Sequence, residues 1–193
     1  LNPAELGRVE VRIGFEDGHL RAVVRTESPA AMELIRRETA DLTRALDQVM
    51  AVMETAFDPH WREAWTRQQV ANSLALPHTY AVLVDAEARL IGDGEAEAGG
   101  FILARRAPGE EELLLIGVRP ELRGRGLGRL LIETFAELAR HAGAEQVFLE
   151  MRANNPAERL YRACGFEPIG RRPAYYRTLD GSFLDAITFA RKL

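Results

Sequence analysis

The residues best suited to chemistry lie in one run, IGVRPELRGRGLGRLL, from Ile116 to Leu131. Glycines at Gly124, Gly126 and Gly128 alternate with Arg123, Arg125, Leu127 and Arg129, and the run continues into apolar, helix-forming residues. Glycine lets the backbone take positive φ and approach a bulky group, because no Cβ intervenes. A helix starting directly behind it offers N–H groups without intrahelical partners and the positive end of the helix dipole. Together these make an anion cradle, with arginines at its mouth and a pyrophosphate as its natural guest. The dinucleotide fingerprint G-x-G-x-x-G fails here, since its third glycine would fall at Arg129 or Leu131. The phosphate loop of nucleotide hydrolases needs a lysine inside its motif, and the only lysine is Lys192. The competing reading is an ordinary glycine-rich turn with solvated arginines.

Composition narrows the remaining classes. The 193 residues suit one domain, or one domain with an appendage, and 47% of them are apolar, so core material is ample. All 25 basic residues except Lys192 are arginine, which removes lysine Schiff-base chemistry from any motif. A net charge of -4 gives no global basic field, so neither nucleic acid nor a membrane surface is expected as a partner. Cys164 is the single cysteine, which excludes a disulfide framework and a cysteine-based zinc site. It reads as a small buried hydrophobe rather than a nucleophile. His19, His60, His78 and His141 are scattered without metal-ligand spacing, so no metal is expected. No apolar run approaches the roughly 18 residues of a membrane span, and no signal pattern is expected at the front. A reducing, cytoplasmic setting follows as the expectation.

The elements that must position the loop can be read from periodicity. Arg8 to Gly14 and Leu20 to Thr26 read as a hairpin turned at Asp17-Gly18. Ser28-Pro29 reads as a helix start, and the apolar residues that recur as far as Met53 fit helix. A single helix of that length is well above the usual 11 to 12 residues, so a break is expected near Leu42 to Asp47. Trp61 to Leu74 reads as a second helix. Strands follow at Tyr80 to Val84, Phe101 to Ala104 and Glu112 to Val118, the last with an apolar run expected when both faces are covered. Helix is expected from Leu127 to a C-cap at Gly143, then a strand at Val147 to Met151 and a short helix at Pro156 to Cys164. A closing pair of strands lies near Tyr175 to Arg177 and Leu184 to Arg191. This order is that of a mixed α/β sheet.

Arg123, Gly126 and Gly128 space out R-x-x-G-x-G between a strand and a helix, which resembles the acetyl-CoA motif of the GNAT N-acetyltransferases. The resemblance continues through LEMRANNPAERLYRACGF, from Leu149 to Phe166, and RRPAYYRTLDGSFLDAI, from Arg171 to Ile187. There the chain looks like the bacterial enzymes that acetylate the N-terminal amine of ribosomal proteins, over roughly Gln48 to Leu193. The resemblance implies a mixed, splayed central sheet flanked by helices. It implies that Ile116, Gly117 and Val118 pair with the pantetheine arm of acetyl-CoA, and that Gly124 to Arg129 take its pyrophosphate. It implies direct attack by a protein N-terminal amine, with Glu150 as the base, Tyr161 as the acid toward the CoA thiolate, and Asn155, with Asn154 close behind, as a CoA contact. On their own chemistry, Glu150 could be a strand carboxylate paired with Arg152, and Tyr161 a buried aromatic. Six positions separate Asn155 from Tyr161 where the family has seven, and one residue on a helix is about 100° of rotation. Phe57, Trp61, Trp65, Tyr175 and Tyr176 read as core or rim, or as walls of the acceptor entry.

The front of the chain is different. LNPAELGRVEVRIGFEDGHL resembles the C-terminal domain of flagellar hook-length control proteins, with L-x-P-x-x-L-G-x-V-x-V at Leu1 to Val11. The expected organisation is therefore a hairpin and helix over residues 1–46, docked rather than independent, with Leu20 to Thr26 at an edge of the sheet of an acetyltransferase domain over 47–193. The alternatives are an acetyltransferase of a small-molecule amine, or a non-catalytic assembly module of the flagellar type.

Overall fold

The computed structural model describes residues 9–16, 19–26, 28–92 and 96–193. The expected turn at Asp17-Gly18, and most of the Leu1 to Val11 pattern, lie outside the described residues. By internal contacts the chain divides into one unit of residues 1–44 and another of residues 45–193.

In the first unit, β1 (Val9–Glu16) and β2 (His19–Thr26) pair antiparallel, from Val9 opposite Thr26 to Glu16 opposite His19. Helix α1 (Pro29–Ala56) begins after them and runs into the second unit. It has no break near Leu42 to Asp47, contrary to the expectation. No glycine or proline lies between Pro29 and Pro59 to interrupt it. Through that stretch Thr43 Oγ1 donates to the Thr39 carbonyl at 2.9 Å, and Arg44 sits 3.9 Å from Asp41 one turn earlier. The strand Leu20 to Thr26 pairs with β1 in a two-stranded sheet of its own.

The second unit is built on a six-stranded sheet: β3 (Thr79–Val84), β4 (Gly100–Ala107), β5 (Glu110–Val118), β6 (Gln146–Arg152), β8 (Phe183–Lys192) and β7 (Glu167–Arg177), in that spatial order. Only β5 and β6 run parallel; the crossover between them is α3 (Leu127–His141). One face of the sheet packs Val82, Ile102, Leu113 and Leu149 against Leu131, Ile132 and Phe135 of α3. The other face packs Phe101, Leu103 and Leu115 against Val49, Val52 and Met53 of α1 and Val70 of α2 (Arg67–Leu74). Both faces are covered, as the apolar run of β5 requires. A register shift between β4 and β5, with Leu103 opposite Leu115 but Ala104 opposite Leu113, leaves Leu114 as an extra residue.

The second helix is shorter than its apolar pattern suggests. Asp58 caps a 3-10 turn at Pro59–Trp61 through the His60 N–H, and Arg62 ends it in the left-handed region at φ 55°. Helix α2 starts only after Thr66, which forms a capping box with Gln69. Helix α4 (Glu158–Ala163) likewise starts two residues later than expected.

Candidate active site

Strands β5 and β6 pair for four rows, from Glu110 with Gln146 to Leu113 with Leu149, and then part. Each is still held on its outer side: Leu115 to Val118 stay paired with β4, and Glu150 to Arg152 stay paired with β8. The sheet therefore opens into a V whose walls are Ile116, Gly117 and Val118 on one side and the end of β6 on the other. At Gly117 a Cβ would come within 2.7 Å of the Phe101 ring and 3.2 Å of Phe57, so only glycine lets α1's end and β4 close over the strand.

The glycine loop follows β5 and ends at the start of α3, and its three glycines have two different reasons. Gly124 and Gly126 have φ of 76° and 90°, with open space where a Cβ would stand. Gly128 would place a Cβ 2.9 Å from Leu160 of α4, so its role is close approach of the two helices. Gly126 is the N-cap of α3 and no side chain caps that end. The first backbone bond of the helix runs from the Leu130 N–H to the Gly126 carbonyl. The amides before it are therefore without an intrahelical acceptor. Arg125 and Arg129 are exposed beside them, and Arg123, also exposed, turns back onto the chain. Its Nε donates to the Val118 carbonyl at 3.2 Å and its Nη2 to the Ala56 carbonyl at 2.7 Å, tying the end of β5 to the last turn of α1. A cation suits that helix terminus.

On the other side of the V, alternation along β6 buries Leu149 and Met151 toward α3 and turns Glu150 and Arg152 to the opposite face. The Glu150 carboxylate accepts from Arg172 of β7, at 2.9 Å from Nε and through Nη2 as well. Its cross-strand partner is thus Arg172 rather than Arg152. Arg152 is buried, with Nε 3.2 Å from Glu63 Oε2, Nη1 donating to Asn154 Oδ1 at 2.6 Å, and its guanidinium 3.9 Å over the Trp61 ring. Burial pushes the Glu63 carboxyl up, against the pull of Arg152. Tyr161 is buried on α4, and burial, followed by the charges of Glu63 and Tyr176, pushes its phenol well above the usual range. Tyr176 is pushed up to about 12, by burial first and then by Glu150 and Glu63. The charge of Glu63 thus acts on both phenols, and that of Glu150 on Tyr176.

A model of the family described as Acetyltransferase (GNAT) family matches residues 46–166. The chain belongs to the GNAT acetyltransferase family. A second model, Flagellar hook-length control protein FliK, matches residues 1–54, and the two matches overlap inside α1. The Mycobacterium tuberculosis N-alpha-acetyltransferase RimI is 37% identical over 155 residues, spanning 78% of this chain and 89% of that protein. A putative ribosomal protein bS18-alanine N-acetyltransferase of Bacillus subtilis is 27% identical, over 68% of this chain and 80% of its own length. The crystal structure of the Escherichia coli ribosomal-protein-S18-alanine N-acetyltransferase superposes with a TM-score of 0.63 at 26% identity, covering 76% of this chain and 86% of that one. This is an α/β acetyltransferase of GNAT type, homologous to ribosomal-protein alanine N-acetyltransferases.

In the link before Tyr161, Asn154 takes a left-handed φ of 65° and the helix starts at Glu158. The Asn155 side-chain oxygen accepts from the Ala157 N–H at 3.0 Å, at the entry to α4. Cys164 is buried and burial pushes its thiol up, as expected of a packed hydrophobe. Among the described residues no cluster of three metal-ligating side chains occurs, and no helix is long and apolar enough to cross a membrane. Phe57 packs on Phe101 with centroids 6.5 Å apart, while Trp61, Tyr175 and Tyr176 gather around the charged group. Sequence reasoning passed over Glu63 and Arg172. Glu63 lay hidden inside a helix that does not form, and the pairing of Arg172 with Glu150 depends on the register of three strands.

Proposed function

We propose that this GNAT domain transfers the acetyl group of acetyl-CoA directly to the N-terminal α-amine of a protein, of the ribosomal-protein alanine type, in the cytoplasm. The observation that carries the reading is the V between β5 and β6, with uncapped helix amides beyond one wall and Glu150 on the other. Open space at Gly124 and Gly126 fits a diphosphate, and the inner edge of Ile116 to Val118 fits an amide-bearing arm in extended form.

The thioester supplies an activated carbonyl and a thiolate leaving group. An α-ammonium has a pKa of about 7.7 to 8.0, so a modest base is enough to free its lone pair. Glu150 takes that proton, directly or through one water. The amine nitrogen then bonds to the carbonyl carbon as the C–S bond breaks, and nitrogen sheds its second proton to solvent. Tyr161 holds its proton at neutral pH because burial disfavours the phenolate, which suits it to protonate the departing sulfur. The side-chain amide of Asn155, the loop amides from Gly124 to Arg129, Leu127 among them, and the arginines Arg125 and Arg129 bind the CoA moiety. Arg123 sets the width of the V by tying β5 to α1.

Incubation with acetyl-CoA and short peptides beginning with alanine is expected to release free CoA and to block the peptide's Edman reaction. Turnover of small amines with no turnover of peptides would replace the acceptor with a small molecule. No turnover of either, with CoA still bound, would overturn the transferase reading of the site.

A further inference from the structure

The Glu150 carboxylate faces an open pocket of about 410 Å³, lined by Glu112, Phe148, Gly170, Arg171, Arg172 and Thr188 as well as Glu150 itself. Arg172 reaches across it from β7 and holds Glu150 through Nε and Nη2, while its guanidinium lies 4.0 Å over the Tyr175 ring. Those two contacts have different supports. Glu150 sits on an inner strand with its side chain 19% exposed, whereas the Arg172 side chain is 55% exposed. Arg172 also begins the register shift of β7 against β8, where Ala174 takes φ 51° and its N–H donates to Asp185 at 2.9 Å. The cation is therefore the more exposed partner and the carboxylate the more enclosed one. A base whose oxygen is held by a guanidinium cannot accept a proton from that side.

We infer that Arg172 is a displaceable latch: its guanidinium occupies the place of the acceptor's ammonium on Glu150, and an incoming cationic amine must expel it from the carboxylate, leaving it only its stacking on the Tyr175 ring. This rests on the reading of Glu150 as the base. Arg172 is a positioning residue in this scheme and takes no part in bond making. Its removal takes a competitor away from the acceptor, so KM for the amine falls, while the other groups around the carboxylate, Glu112 of β5 and Arg171 of β7, stay in place.

The test is steady-state acetylation of alanine-initiated peptides by wild type, Arg172→Gln and Arg172→Lys across pH 5.5 to 8.5. An exposed pair of this kind is worth about a two- to fivefold change. The expected result is a KM for the peptide lower by about that factor in Arg172→Gln with kcat little changed, and Arg172→Lys between it and wild type. A KM that is unchanged or higher in Arg172→Gln, with wild type active, overturns the latch and leaves the transferase reading standing. The same KM decrease seen only with small amines keeps the latch and overturns the protein acceptor. Absence of transfer by wild type and variants alike, with CoA bound, removes both.

Discussion

The two walls of the V are made in different ways. The loop side, from Ile116 to Arg129, offers backbone: an open strand edge, glycines at positive φ, and the uncapped start of α3. The β6 side offers side chains gathered from distant segments: Glu63 before α2, Glu150 and Arg152 on β6, Tyr161 on α4, and Arg172 and Tyr176 on β7. Backbone can hold a carrier common to a whole family, because its groups do not depend on side-chain identity. Side chains must do the proton work, since only they titrate in the range that matters. The two walls should therefore fail separately, one in carrier binding and the other in rate.

The largest expected effect is on the loop. Gly126→Asp places a carboxylate where a diphosphate should sit, on a residue at φ 90°, and CoA affinity is expected to fall by more than about 100-fold in calorimetry. Gly126→Ala, which adds backbone strain without charge, should fall less. Next comes Glu150→Gln, for which kcat is expected to drop about 100-fold while CoA affinity stays within about twofold. Loss of CoA binding in Glu150→Gln would erase the division between the walls. Tyr161→Phe should cost less, about tenfold in kcat, because a thiolate is already a good leaving group with a pKa of about 8.5.

The smallest effect belongs to the turn beyond β7. Hydrogen bonds from Thr178 and then Ser182 hold the Asp180 carboxyl down to about 2, and the neighbouring Leu179 N–H donates to the His60 carbonyl at 3.1 Å. A carboxyl with its folded pKa below its unfolded value stabilises above the unfolded pKa and loses that contribution as pH falls toward 2. Melting temperatures of wild type and Asp180→Asn are expected to differ slightly at pH 6, to draw together as pH falls below about 4, and to converge only at about pH 2. A gap as large at pH 2 as at pH 6 would show that the side chain acts by something other than its charge.

The contrast between the walls also explains what the sequence could reveal. Gly124, Gly126 and Gly128 announce their role by being glycine, since few other reasons place three of them before an apolar helix. Glu150 and Tyr161 were legible only through the residues around them, because a lone glutamate in a strand has many uses. Glu63 left no sign: the apolar spacing of Trp61 to Leu74 fits helix, and the capping box of Thr66 and Gln69 that ends the irregular segment is four short-range residues against a longer pattern. The continuity of α1 has the opposite cause: no glycine or proline interrupts Pro29–Ala56, and that absence outweighs the usual length of a helix. Arg123 shows a further limit. Its charge was read at the mouth of the loop, but the carbonyls of Val118 and Ala56, brought together by folding, take its guanidinium instead.

Amide hydrogen exchange with and without acetyl-CoA addresses the open strand edge most directly. The expected result is slowed exchange at Leu115 to Val118 and at Gly124 to Arg129 when the thioester is added, with Glu167 to Arg177 unchanged. Exchange that stays the same in β5 and the loop, or slows only along β7, would contradict the assignment of the V as the carrier's seat.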